Sequence, residues 1–266
     1  MNDTRGQYTD CVVAYLDILG FTQFVTDSTN NPETLGSLIQ AMQAVHAIPA
    51  GEKKVSTVGG TQRTIDIRRR FFSDTLVFFH RKRLGDIPQL LFLIRYIQDQ
   101  LWAKGYCLRG SIVLGQMYWL EQDDNVTVGP GLIDAHKSES ELAVYPRITV
   151  SPELSQCITA KNIRATPFGG DRSRLSKYIR QDADGIFFLD LLNPEITRHE
   201  DEQLNHWEDG YSVQCYPDRP SSHAAVLNTV RQIIKRNGDT TSSKVRQKYA
   251  WLNTYCNLHA DSDTED

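Results

Sequence analysis

An apolar run of strand length, Val12-Val13-Ala14-Tyr15-Leu16, is broken by a single carboxylate, Asp17, and closes on Ile18-Leu19-Gly20-Phe21-Thr22. The run predicts a buried strand, and Gly20 permits a tight turn whose backbone N–H groups can face an anion. A carboxylate buried at that end needs a cation, a donor network or a proton, because unpaired burial is costly. Capping of the following helix is the other reading this stretch allows. A second stretch, Arg68-Arg69-Arg70-Phe71-Phe72-Ser73-Asp74-Thr75-Leu76-Val77-Phe78-Phe79, reads as two strands meeting at Ser73-Asp74. It puts another lone carboxylate at a turn between apolar runs. Two carboxylates about 4 Å apart at an effective dielectric near 20 repel by roughly 4 kcal/mol. A divalent cation removes that conflict, and paired ions support in-line phosphoryl chemistry.

Around these two stretches the chain predicts alternating helices and hairpins. Glu33 to Ile48 carries Leu35, Leu38, Ile39, Met42 and Val45 at helical spacing, with Pro49 as its stop. Gly51 to Gln62 is polar and reads as a loop before the hairpin of Thr64–Phe72 and Thr75–His80. Asp86 is placed to cap a helix with Leu90, Leu91, Ile94, Ile97 and Leu101 inward, and Gly105 ends it. Cys107–Leu114 and Met117–Leu120 read as a second strand pair, Gln122–Asn125 as a turn, Gly129–Ala143 as a helix-containing segment and Arg147–Val150 as a strand. Beyond these, Gly185–Leu192 reads as one more strand, and His223–Arg236 and Lys244–Cys256 as helices. The order predicts an α+β sheet with helices on one face.

Composition narrows the function classes. A net charge of −4 and a pI near 6.0 give no global basic field for nucleic acid. Cys11, Cys107, Cys157, Cys215 and Cys256 are scattered and odd in number, which predicts reduced thiols in a cytoplasmic protein. Met1 to Gly6 has no apolar signal region, and no segment is long and apolar enough to suggest a membrane span. The histidines lack paired ligand spacing. Gly169-Gly170-Asp171 has no apolar strand on both sides, so it reads as loop, and Arg147 reads as structural beside a strand start.

Several of these stretches together resemble a known family. Tyr15-Leu16-Asp17-Ile18-Leu19-Gly20-Phe21-Thr22 resembles the first metal motif of class III nucleotidyl cyclases, and Ser73-Asp74 their second metal turn, with Ser73 where glycine is usual. The strand Leu108-Arg109-Gly110-Ser111-Ile112-Val113-Leu114-Gly115 and the segment Val128-Gly129-Pro130-Gly131-Leu132-Ile133-Asp134-Ala135 follow in matching order. Glu139-Ser140-Glu141-Leu142-Ala143-Val144-Tyr145-Pro146-Arg147-Ile148-Thr149-Val150-Ser151, Asp182-Ala183-Asp184-Gly185 and Lys248-Tyr249-Ala250-Trp251-Leu252 are similar to the pyrimidine cyclases of the bacterial Pycsar antiphage system. The resemblance implies one cyclase-like domain over residues 9–256. Its ferredoxin-like palm would span 9–155, followed by a helical extension over 156–256 and an acidic, disordered tail over 257–266.

The resemblance also implies a site and a reaction. Asp17, Asp74 and the carbonyl of Ile18 would hold two Mg or Mn ions, since oxygen ligands suit hard cations. The backbone N–H groups of Leu19, Gly20, Phe21 and Thr22 would cradle phosphate. The ribose 3′-hydroxyl would attack the α-phosphorus in line, releasing diphosphate. Arg70 stands where family members read the base. Its guanidinium only donates, which favours the carbonyls of uracil and implies UTP and cyclic UMP. Ile133 and Lys137 occupy the places of the ribose-orienting Asn and the transition-state Arg, and Lys137 would act as a point charge. Expected partners are UTP, a second copy in a homodimer with shared sites and a separate cyclic-nucleotide-sensing effector, with neither nucleic acid nor membrane. Cyclic CMP synthesis and non-catalytic nucleotide binding are the alternatives.

Overall fold

β1 (Thr9–Ile18) forms because its residues are apolar on both sides, and both sides are buried. Val12, Ala14, Leu16 and Ile18 join the larger core, whereas Cys11 and Val13 join a smaller core on the opposite face. In the computed structural model the described residues are 7–46, 51–56, 62–120, 126–163, 174–194 and 222–260. The Gln122–Asn125 turn, Gly169-Gly170-Asp171, Cys215 and residues 261–266 lie outside them.

β1 is flanked by β4 (Thr75–Arg81) and β5 (Leu108–Trp119), both antiparallel to it. With β2 (Gly51–Ser56), β3 (Gln62–Phe72), β6 (Thr127–Val128), β7 (Ile148–Val150), β8 (Ile179–Gln181) and β9 (Phe187–Leu189), the described strands form a mixed sheet. The order is β2-β3-β4-β1-β5-β7-β9-β8, and β6 pairs with β5 alone. β5 and β7 run parallel, joined through α4 (Pro130–Leu142). The fold is α+β.

α1 (Phe21–Ser28) follows β1 directly. The larger core is covered by α2 (Pro32–His46), α3 (Ile87–Ala103), α5 (Pro152–Ala160), α6 (His223–Gly238) and α7 (Ser243–Ala260). α4 covers the opposite face, with Ala135 and Leu132 in the smaller core, so the helices are not confined to one side. Gly115 and Gly131 explain its seating. A Cβ added at Gly115 would lie 2.3 Å from the Gly131 Cα, so helix and strand touch backbone to backbone.

Other expectations need correction. Gly51 to Gln62 is not simply a loop, because Gly51–Ser56 is an edge strand on β3. β5 runs unbroken through Gly115 rather than splitting into two strands, because that glycine serves the α4 contact and not a turn. α5 was not expected from the sequence; Ser151 caps it, its hydroxyl accepting the Leu154 N–H at 3.2 Å, and Pro152 opens it. Asp86 occupies the N-cap position of α3 but is buried, and its side chain makes no capping bond. α7 continues to Ala260, one turn past Cys256, so residues 257–260 are helix rather than tail. The extra turn brings His259 Nε2 to 2.9 Å from Asp190, beside the Tyr255 hydroxyl that donates to the same carboxylate at 2.7 Å.

α7 is also fixed at its middle. Arg147, buried at the start of β7, bridges Asp182 and Asp184 of the β8–β9 turn, and Trp251 Nε1 donates to Asp182 at 2.7 Å. The guanidinium carbon lies 5.1 Å from the Tyr145 ring and 5.9 Å from the Trp251 ring, and the two rings stack at 5.5 Å. Three stretches far apart in sequence thus meet at one side chain. The role of Arg147 is structural, as its position beside a strand start implied.

Candidate functional site

The strand period puts Tyr15 and Asp17 on the face that α4 partly covers. Asp17 pairs in register with Thr75 on one side and Arg109 on the other. The end of β1 is closed by two backbone bonds, Ile18 N–H to the Asp74 carbonyl at 3.3 Å and Leu19 N–H to the Cys107 carbonyl at 2.8 Å. Ser73 adopts φ 59°, the left-handed conformation glycine takes freely, and this turn presents Asp74 toward Asp17. The two carboxyl groups come within hydrogen-bonding reach. Burial above all pushes the Asp17 pKa up to about 6; Asp74 adds to that rise, and the hydrogen bond and charge of Arg109 oppose it.

Arg109 is the cation of this end of the sheet. Its Nε donates to Asp17 Oδ2 at 2.9 Å, and its Nη2 lies 3.0 Å from Glu139 Oε1. Glu139 comes from α4 and is buried. Next to it Ser138 and Ser111 share a hydrogen bond of 2.7 Å, and His136 meets the Tyr15 ring edge-on at 5.1 Å. Lys248 of α7 is near enough to feel the same charges. It is half-buried and within electrostatic range of Asp17, Glu139 and Arg109.

The structure brings together Asp17, Asp74 and the Ile18 backbone. Gly20 turns the chain at φ 79°, and its carbonyl accepts from Gln23 and Phe24 N–H at 3.0 and 3.1 Å as α1 begins. Since the Leu19 N–H is taken by Cys107, the donors at the start of α1 are those of Gly20, Phe21 and Thr22. Arg70 shares the face of Asp17 but lies two strands away, in the row Arg70–Val77–Tyr15. It is half-buried, with Nη1 donating to the Arg69 carbonyl at 2.6 Å. Lys137 and Ile133 are exposed on the side of α4 opposite Ala135 and Glu139. Within one chain they point away from Asp17.

The donor chemistry of Asp17, Asp74 and the Ile18 carbonyl fits a hard divalent cation. Among the described residues no group of three or more His, Cys, Asp or Glu side chains is arranged to hold a metal. A pair of carboxylates that leaves the remaining ligands to water and phosphate is how magnesium is commonly held. Arg109, Glu139 and Lys248 were not singled out from sequence as site residues. The Asp17–Arg109 contact depends on strand register, and Glu139 and Lys248 arrive from helices whose placement no local pattern reveals.

The sequence matches no known family model and no curated protein sequence. Two solved structures show a distant likeness. One is a class III adenylyl cyclase-like ATP-binding protein from Pseudomonas aeruginosa, at 15% identity and a TM-score of 0.38, covering 59% of this chain and 37% of that one. The other is an adenylate/guanylate cyclase/hydrolase from Silicibacter pomeroyi, at 13% identity and a TM-score of 0.35, covering 69% of this chain and 96% of that one. The chain thus spans little more than a third of the Pseudomonas structure.

Proposed function

We propose that this protein is a pyrimidine nucleotide cyclase that converts UTP to 3′,5′-cyclic UMP and diphosphate, as a second messenger in antiphage defence. The observation that carries the reading is the opposed pair Asp17–Asp74 at one end of the sheet, with the Asp17 pKa raised to about 6 by burial and, less, by its neighbour. Such a pair in a desolvated strand end disfavours itself unless a cation or substrate is part of its working state. Asp17, Asp74 and the Ile18 carbonyl would hold Mg or Mn. Bound there, the ions would acidify the attacking ribose hydroxyl and offset the charge of the triphosphate.

The chain's own groups supply the rest. Gly20, Phe21 and Thr22 offer backbone donors at the start of α1. Arg109, held between Asp17 and Glu139, keeps a fixed positive charge beside the carboxylate pair. Arg70 presents donors only and so selects a base rich in carbonyl oxygens. Because Lys137 points away from the Asp17 of its own chain, its place in the reading is in the site of a second copy. The reading is therefore of a homodimer with shared sites, acting through a separate effector. The defence role rests on the likeness to the Pycsar cyclases, whose three signature stretches here meet at Arg147.

The test is to incubate the purified chain with ATP, GTP, CTP and UTP plus manganese and to identify products by mass spectrometry. Cyclic UMP as the main product is expected. Cyclic CMP in its place would move the assignment to a cytidylate cyclase. Nucleotide binding without any cyclic product would favour a non-catalytic module, a reading to which the ion pair of Arg109 on Asp17 lends some support.

A further inference from the structure

A cleft of about 400 Å³ opens beside α4, where β5, β7, the start of α5 and the β8–β9 turn meet. Small-molecule sites commonly occupy about 300–1,000 Å³, so the cleft is large enough for a compact ligand. Its walls are apolar, built from Val113 and Leu114 of β5, Val150 of β7, Leu142 of α4, and Ile186 and Phe187 at the β8–β9 turn. Leu114, Leu142, Ile186 and Phe187 are only partly covered by the chain itself. An occupant would take that apolar surface out of water.

Hydrogen-bond accounting decides the charge of that occupant. The Ser151 N–H is taken by the Ile112 carbonyl at 2.9 Å, and the Leu154 N–H by the Ser151 hydroxyl. Pro152 has no N–H, so the start of α5 keeps little to offer an anion. In the β8–β9 turn the Gly185 N–H goes to the Asp182 carbonyl at 2.9 Å and the Ile186 N–H to Asp184 Oδ1 at 3.1 Å. The buried Thr149 hydroxyl donates to the Gly110 carbonyl at 3.2 Å, and Ser138 is already bonded to Ser111. Against these spent donors stand two lining carboxylates, Asp134 of α4 and Glu153 of α5. Neither makes a side-chain hydrogen bond or an ion pair among the described residues. Among those residues the lining holds no lysine, arginine or histidine. An anion entering here meets like charge and few donors, whereas a cation meets two open acceptors. We propose that this cleft binds a small organic cation, an ammonium carried on an apolar body about one ring system in size. The ammonium brings positive charge and donors to Asp134 and Glu153, and the body lies on the apolar wall with Phe187. The cleft uses neither Asp17 nor Asp74, so this holds whatever reaction that end of the sheet performs.

The experiment compares three indole compounds of similar shape and different charge on the full chain: tryptamine, tryptophol and indole-3-propionate. Binding is measured by calorimetry, with thermal midpoints recorded alongside. Tryptamine should bind about ten-fold more tightly than tryptophol, and indole-3-propionate should bind most weakly. Asp134 and Glu153 are both exposed, so the double variant Asp134→Asn, Glu153→Gln should keep a midpoint near that of wild type. It should lose about ten-fold in tryptamine affinity and fall to the level of tryptophol. The wild-type chain reports the location independently of any variant. Carbodiimide treatment in the presence of tryptamine should form an amide at Asp134 or Glu153 ahead of the exposed carboxylates Asp27 and Glu33, as read by peptide mass spectrometry. A wild type that does not bind tryptamine overturns the proposal, as does equal binding of the three compounds. Unchanged tryptamine affinity in the double variant overturns it too, and so does coupling no greater at Asp134 and Glu153 than at Asp27 and Glu33.

Discussion

Two clusters of charge in the fold, one at Arg147 and one at Asp17, are built on opposite terms. At Arg147 one buried guanidinium meets two carboxylates, an indole N–H and two aromatic faces. Burial alone would raise the Asp184 pKa, but the hydrogen bonds from Arg147 and from the Ile186 N–H outweigh it and hold Asp184 below the usual carboxylate range. At Asp17 the balance is reversed. Burial and a second carboxylate outweigh a single arginine, and the pKa rises to about 6. Charge at Arg147 is well compensated and ties three segments together, whereas at Asp17 one arginine does not offset burial and a second carboxylate.

The contrast breaks most sharply on activity. Asp17→Asn or Asp74→Asn should abolish metal-dependent cyclisation, because each removes a metal ligand while nearly preserving shape. The urea midpoint of Asp17→Asn should stay level or rise, since a desolvated charge is removed. Near-wild-type turnover in either variant would show that the two-metal site has been misplaced.

Arg147→Leu is the complementary case and should act on stability. Removing one partner of a buried ion pair costs about 3–5 kcal/mol. The lower end, about 3 kcal/mol, is expected here because the Asp184 side chain is 40% exposed and can recover water. Urea denaturation measures it. A change below about 1 kcal/mol, the scale of a surface pair, would mean that the Arg147–Asp182–Trp251 contact is not what fixes α7.

The smallest effect is in pH dependence, where the two clusters should have opposite signs. Asp17 has its folded pKa raised from 3.8 to about 6, so the folded chain binds more protons than the unfolded chain between those values. Its contribution therefore falls as pH rises from about 4 to 6, and the cost persists above that window. Asp184 has its folded pKa lowered, so its contribution is present above the ordinary carboxylate pKa and is lost as pH falls through the folded value. In metal-free buffer, the stability advantage of Asp17→Asn over wild type should grow from pH 4 to pH 6. A flat difference over that range would remove desolvation as the reason Asp17 is unusual.

The parts of this architecture carried by local chemistry were legible in the sequence. β1 announced itself by the apolar run Val12–Leu16, and the Ser73-Asp74 turn by the apolar runs on either side. Gly51–Ser56 was hidden because Glu52, Lys53 and Lys54 make an edge strand look like a loop. The seating of α4 was hidden because its contact with β5 is made by two glycines and not by a stripe of large side chains. Asp17 and Asp74 could be named from sequence, but the cations around them could not. Arg109 depends on the pairing of β1 with β5, which no local pattern reveals.

The glycine contact between α4 and β5 sets a mismatch of scale along the sheet. From Gly115 to Ser111 the strand advances about 13 Å, and from Gly131 to Ser138 the helix advances about 10 Å. The two short side chains there can still touch. By Arg109 the strand has advanced about 20 Å, whereas the helix at Glu139 has covered only about 12 Å. Only long side chains can bridge that lag, which accounts for an arginine facing a glutamate. Even Leu142, the last residue of α4, reaches only about 16 Å. Pinned at its glycine end, the helix runs out before the sheet does, and the row its end does not reach is the one that carries Asp17.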